Sequence, residues 1–132
     1  MSNSIDYLKI TEVTDDLVSQ EQVQRSCNRY YWANLFCKGK SVLEVACGTG
    51  QGLGYLSKNS KRFVAGDYSR DILNVTQKHY GSRIDLFQLD AQHLPFADNS
   101  MDVILLFEAI YYVPNVDLFI KECHRVLGLN GK

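Results

Sequence analysis

The sequence carries no surplus of charge: 14 Lys and Arg face 15 Asp and Glu, for a net −1 at neutral pH. The two signs are interspersed, which argues against the footprint of a nucleic-acid or anionic-membrane binder. Long apolar runs are also missing. The unbroken run Val103–Phe107 has five residues, far short of the ~20 that span a bilayer. Met-Ser-Asn-Ser-Ile-Asp at the start lacks a basic stretch followed by an apolar one, so no signal peptide is expected. Cysteine chemistry is sparse: Cys27, Cys37, Cys47 and Cys123 form no CxxC pair and show no zinc-like spacing with His79, His93 or His124. That pattern suits the reduced thiols of a cytoplasmic protein and gives no metal site. Neither repeats nor low-complexity segments occur.

What is present fits one domain. With 132 residues, 45% of them hydrophobic, the chain fills one compact core. The capping-box pattern Ser19-Gln-Glu-Gln22 predicts a helix to about Phe36, after an irregular lead-in over residues 1–18. Val23, Cys27, Tyr30, Tyr31, Asn34 and Leu35 recur on it at helical spacing. Residues 1–38 thus form a lead-in and a helix, and residues 39–132 an α/β core. In that core Ser41–Gly54 is decisive: a short apolar strand, then glycines at 48, 50, 52 and 54. Strand, glycine turn and helix is how open parallel sheets build a ligand site at their carboxyl ends. The spacing departs from the G-x-G-x-x-G of dinucleotide binders, because Leu53 holds the third place, and Glu44 would repel a pyrophosphate. An NAD(P)-dependent oxidoreductase is therefore disfavoured.

Glu44-Val-Ala-Cys-Gly-Thr-Gly50 resembles the first motif of class I S-adenosylmethionine-dependent methyltransferases, with Ala46 where glycine is common. The likeness runs over roughly residues 40–131. Asp90-Ala-Gln-His-Leu-Pro-Phe96 is similar to the family's Asp-Ala-x-x-Leu-Pro-Phe segment. Arg125-Val-Leu-Gly-Leu-Asn-Gly131 is similar to its Arg-Val-Leu-x-Pro-Gly-Gly turn, with Leu129 and Asn130 in place of Pro and Gly. The resemblance implies a Rossmann-like, doubly wound parallel sheet of strand order 3-2-1-4, S-adenosyl-L-methionine as cofactor and methyl transfer to an O, N or C nucleophile. Phe107-Glu-Ala-Ile departs from the Asn/Asp-Pro-Pro-Tyr of the amino-methylating DNA enzymes, so a small-molecule acceptor is expected.

The site residues follow by position. Glu44 would order the glycine loop and face the cationic methionine end, with Ala46, Gly48 and Gly50 admitting the ligand to the backbone. Asp67, 23 residues beyond Glu44, stands near the spacing of a ribose-binding acid; it is also placed to favour a helix N-terminus, with Ser69 as N-cap. Tyr68 follows at the adenine edge. The resemblance assigns Asp90 and the Ala91 N–H to adenine, although Asp90 alone reads equally as a turn residue. Phe107 completes the cofactor set. Tyr30, Tyr31 and Trp32 either pack the first helix on the sheet or form a lid, from which Arg29 or Tyr31 would touch the methionine end. Glu108, Tyr111 and Tyr112 are the candidate proton acceptors beyond strand four, none singled out by spacing. His93 reads as a surface residue.

In the family the Arg125–Gly131 turn leads into further strands. The expectation is a fragment of a longer enzyme, with Val103–Phe107 left as an apolar edge prone to self-association. A second reading is a non-catalytic cofactor-binding module.

Overall fold

The computed structural model describes residues 19–132, so the expected lead-in lies outside the described residues. Helix α1, Gln20–Cys37, starts at the predicted capping box: Ser19 accepts from Gln22 N, and the Gln22 side chain reaches back to Ser19 N. The core alternates β1 Ser41–Val45, α2 Leu53–Asn59, β2 Arg62–Asp67, α3 Arg70–Tyr80, β3 Asp85–Gln88, β4 Val103–Leu106 and α4 Val116–Val126. The four strands are parallel in the order β3-β2-β1-β4, as the family resemblance implied.

Alternation along the strands makes two cores. Val42, Phe63, Ala65, Val103 and Leu105 pack beneath α1, α2 and α3 with Cys27, Tyr30, Ala33, Leu53, Leu56 and Tyr80. Leu43, Val45 and Val64 pack with Phe119 and Val126 of α4 on the opposite face. Each fully buried aliphatic side chain contributes roughly 1.5–3 kcal/mol. The same alternation puts Glu44, between Leu43 and Val45, on the α1 side.

Two expectations are corrected. The buried stripe of α1 is Cys27, Tyr30, Ala33 and Cys37, while Tyr31 and Leu35 are 45% and 77% exposed. A step of one residue turns a helix by about 100°, and the tyrosine run hid which ring faces in. Strand four stops short of the full Val103–Phe107 run, because Glu108 takes the left-handed φ of 50° and turns the chain out of the sheet. As the order 3-2-1-4 requires, it lies at the sheet's end, with both faces packed. Its outer edge carries one parallel bridge: Lys132 N donates to Asp102 O (3.0 Å) and Lys132 O accepts from Ile104 N (2.8 Å). An apolar cleft lined by Trp32, Phe36 and Val103–Phe107 runs along that edge. Among the described residues no helix is long and apolar enough to cross a membrane.

Candidate functional site

β1 delivers the chain into the glycine loop at the carboxyl end of the sheet. Ala46 takes φ 56°, and Gly48 and Gly50 take φ 56° and 75°. The loop is pinned from two sides. From β2, Gly66 O accepts from Cys47 N and Asp67 Oδ2 accepts from Gly48 N, both at 3.0 Å. From α3, the buried Thr76 hydroxyl donates to Gly48 O (2.7 Å) and the Tyr80 hydroxyl donates to Gly50 O. These bonds satisfy loop groups that regular structure cannot reach. A Cβ built on Gly48 would meet nothing within 4 Å; the loop is open there. A Cβ on Gly52 would lie 2.3 Å from the Tyr30 ring, so α1 sits directly on the loop.

Two cavities flank Ala46, which lines both. The larger, about 570 Å³, is walled by Asp67 and Tyr68 after β2, Asp90 and Ala91 after β3, and Leu106, Tyr112 and Pro114 after β4. Its apolar walls and a few polar groups suit a flat, partly polar ligand. Asp67 Oδ1 also accepts from Ser69 N (3.0 Å), so its carboxylate is fixed by two amides. Asp90 Oδ1 accepts from Gln92 N at 2.9 Å. Both acids keep lone pairs free, since each carboxylate oxygen carries two.

The smaller cavity, about 250 Å³, is lined by Arg29, Tyr30, Glu44, Gly48, Gly50 and Phe107 among others. Glu44 is 2% exposed. Its Oε2 accepts from the Tyr30 hydroxyl at 3.4 Å, while Oε1 is buried with no partner. Burial pushes the Glu44 carboxyl up to about 8, against the opposing pull of the Tyr30 hydrogen bond and the Arg29 charge. Arg29 Nε is likewise buried without a partner. Two residues that line this cavity thus carry a buried unpaired acceptor and a buried unpaired donor, each of which costs free energy until a partner answers it.

Comparison with known proteins settles the family. The methyltransferase-domain family matches residues 43–132. A Mycobacterium ulcerans protein named Probable phthiotriol/phenolphthiotriol dimycocerosates methyltransferase 2 is 40% identical over 96 residues, covering 70% of this chain and 37% of that one. The chain belongs to the methyltransferase-domain family. A Mycobacterium tuberculosis relative named Probable S-adenosylmethionine-dependent methyltransferase is 30% identical over 95 residues, covering 72% of this chain and 34% of that one. Among solved structures, the PH0226 protein from Pyrococcus horikoshii OT3 superposes with a TM-score of 0.72 at 26% identity, over 96% of this chain and 62% of that one. The chain spans little more than a third of the length of the two curated relatives.

Within this methyltransferase domain, the residues expected at the site fall into two groups. Glu44, Gly48, Gly50 and Phe107 line the smaller cavity, Asp67, Tyr68, Asp90 and Ala91 the larger, and Ala46 both. Tyr31 does not join them. Its ring meets Tyr55 edge-on at 5.8 Å, on the outer flank of α1; of the two residues expected to reach the site from this helix, Arg29 lines the smaller cavity, beside Tyr30. Of the candidate proton acceptors, Tyr112 lines the larger cavity. Glu108 pairs with Arg29 at 3.5 Å, and Tyr111 packs on Tyr112 with ring centroids 4.6 Å apart. His93 is exposed.

Sequence reasoning missed the supports. Thr76 and Tyr80, four apart on α3, hold two glycine-loop carbonyls; that spacing was the available signal. The sequence shows Arg125 only as the first residue of the Arg125–Gly131 segment and does not mark Glu122 at all. In fact Arg125 donates to Leu94 O, Phe96 O, Asp98 and Glu122, and Glu122 accepts from Leu94 N (2.7 Å). The pair clamps the loop after Asp90 onto α4. Its hydrogen bond to Arg125 holds Glu122 below the usual carboxylate range.

Proposed function

We propose that this chain is the cofactor-binding part of an S-adenosylmethionine-dependent methyltransferase whose acceptor is a small molecule. The observation that carries this reading is the smaller cavity, where an unpaired Glu44 oxygen and an unpaired Arg29 nitrogen stand beside an open glycine loop. An amino-acid end answers both atoms, its ammonium at Glu44 and its carboxylate at Arg29. A nucleoside end suits the larger cavity, with Asp67 receiving ribose hydroxyls and Asp90 with Ala91 receiving adenine. Ala46, common to both, suits one ligand that bridges them. When bound, S-adenosylmethionine supplies an electrophilic methyl group.

The chain's own residues then bind and orient. Asp67, held by Gly48 and Ser69 amides, is preorganised and spends no entropy on ordering. Phe107 closes the smaller cavity beside Arg29, whose guanidinium lies 6.0 Å from the ring centroid. Tyr112 is the one candidate proton acceptor in a cavity wall and would be the first to test as a base. A relative named for phthiotriol/phenolphthiotriol dimycocerosates supports a small-molecule acceptor, and the apolar wall of Leu106, Tyr112, Val113 and Pro114 suits one with an apolar body. The second reading, a binding module without turnover, is favoured by the exposure of Tyr112, 78% of which is open to solvent.

The test is calorimetric titration with S-adenosylhomocysteine, with NAD as control. Micromolar binding of the first alone is expected, and Asp67→Ala should weaken it tenfold or more, about 1.4 kcal/mol. Absence of binding by the folded chain would overturn the reading for these residues. Release of S-adenosylhomocysteine with a panel of small acceptors then separates enzyme from binding module.

A further inference from the structure

The Tyr30 hydroxyl has no task in the binding scheme above. Tyr30 is 8% exposed, its ring lies against Gly52, and it meets Phe107 edge-on at 5.3 Å. Phenylalanine would fill that space equally well. A buried hydroxyl costs free energy unless bonded, and its partner is Glu44 Oε2. Holding one carboxylate oxygen fixes where the other points, and the other is the buried, unpartnered Oε1 of a residue that lines the smaller cavity.

We propose that Tyr30 is a positioning residue: it holds Glu44 so that Oε1 is presented to a ligand ammonium group, and the seating of α1 against Gly52 sets that geometry. The inference rests on the cofactor-site reading and adds to it a residue that acts only through another. The charged and titratable groups around Glu44 are Arg29 and Tyr30 from α1, Cys37 at that helix's end, Cys47 in the glycine loop and, through Arg29, Glu108 after β4. Of these, Tyr30 and Arg29 favour the ionised carboxylate. An ammonium group binds the ionised form, so its entry sends the Glu44 proton to solvent. Affinity for a ligand bearing that group therefore rises with pH below the Glu44 midpoint, and losing the Tyr30 hydroxyl moves the rise to higher pH.

The experiment is titration of wild type and Tyr30→Phe between pH 6 and 7.5 with two probes. S-adenosylhomocysteine carries the amino-acid end; 5′-methylthioadenosine has the same nucleoside without it. Wild type should bind the first more tightly by up to about tenfold per pH unit, as one linked proton requires, and the second independently of pH. Tyr30→Phe should lose about threefold to tenfold for S-adenosylhomocysteine at pH 7, the span of one hydrogen bond, and nothing for methylthioadenosine. Equal losses for both probes, or an unmoved pH profile, would overturn the positioning role and leave Tyr30 a packing residue. Should Tyr30→Phe fail to fold, Glu44→Gln takes its place: a flattened S-adenosylhomocysteine profile supports the inference, and an unchanged one overturns it. If wild type binds neither probe, the cofactor-site reading itself falls, a result seen before any substitution is made.

Discussion

Ala46 holds a left-handed φ of 56° where the family pattern favours glycine. For a residue with a Cβ that conformation costs roughly 1–2 kcal/mol, while glycine loses about 0.5–1 kcal/mol more entropy on folding. Ala46→Gly should therefore stabilise the free chain by about 0.5–1 kcal/mol, read as a higher Tm. Glu44 gives a second expectation. Its carboxyl is held protonated up to about 8 in the fold but ionises near 4.5 when unfolded. Between those values the unfolded state binds fewer protons, so stability falls as pH rises, by about 1.4 kcal/mol per unit from this group. Denaturant melts at pH 5.5 and 7.5 should differ in that direction, and Glu44→Gln should remove most of the difference.

At the scale of elements, the order of strands and helices was legible because each local signal agreed with the next. A glycine loop follows the apolar strand that ends at Val45, serine caps α1 and α3, Asp67 ends β2 and Asp90 comes shortly after β3. What stayed hidden were relations between elements distant in sequence. A partly exposed arginine clamp cannot be told from a charge near a helix end without knowing that residues 94–98 fold back over α4. Likewise Tyr30 and Tyr31 are equivalent in composition, and only the rotation of α1 against Gly52 separates them. The clamp carries its own expectation. Arg125→Ala should lower Tm and speed amide exchange across residues 92–98, and Arg125→Lys should recover only part, since lysine lacks the planar fork that reaches several acceptors at once.

At the scale of the whole molecule, β3 and β4 are the two edges of the sheet among the described residues, and β4 is the wholly apolar one. Beyond the single bridge at Lys132, the outer edge of Ile104–Leu106 offers backbone groups above an apolar cleft. Such an edge templates pairing with another chain. We expect the isolated 132 residues to self-associate with rising concentration, visible in sedimentation velocity. A charge placed at Ile104, partly buried at that edge, should shift the balance to monomer, whereas a concentration-independent monomer would count against association through β4.

Ala46 forms a wall common to two cavities of unequal character. A ligand that fills both is, in effect, two weak binders joined across one residue. Adenosine and methionine, offered separately, should occupy the protein together without competing. Their one-piece counterpart should displace both, with an affinity gain set by the effective concentration that its own covalent link imposes.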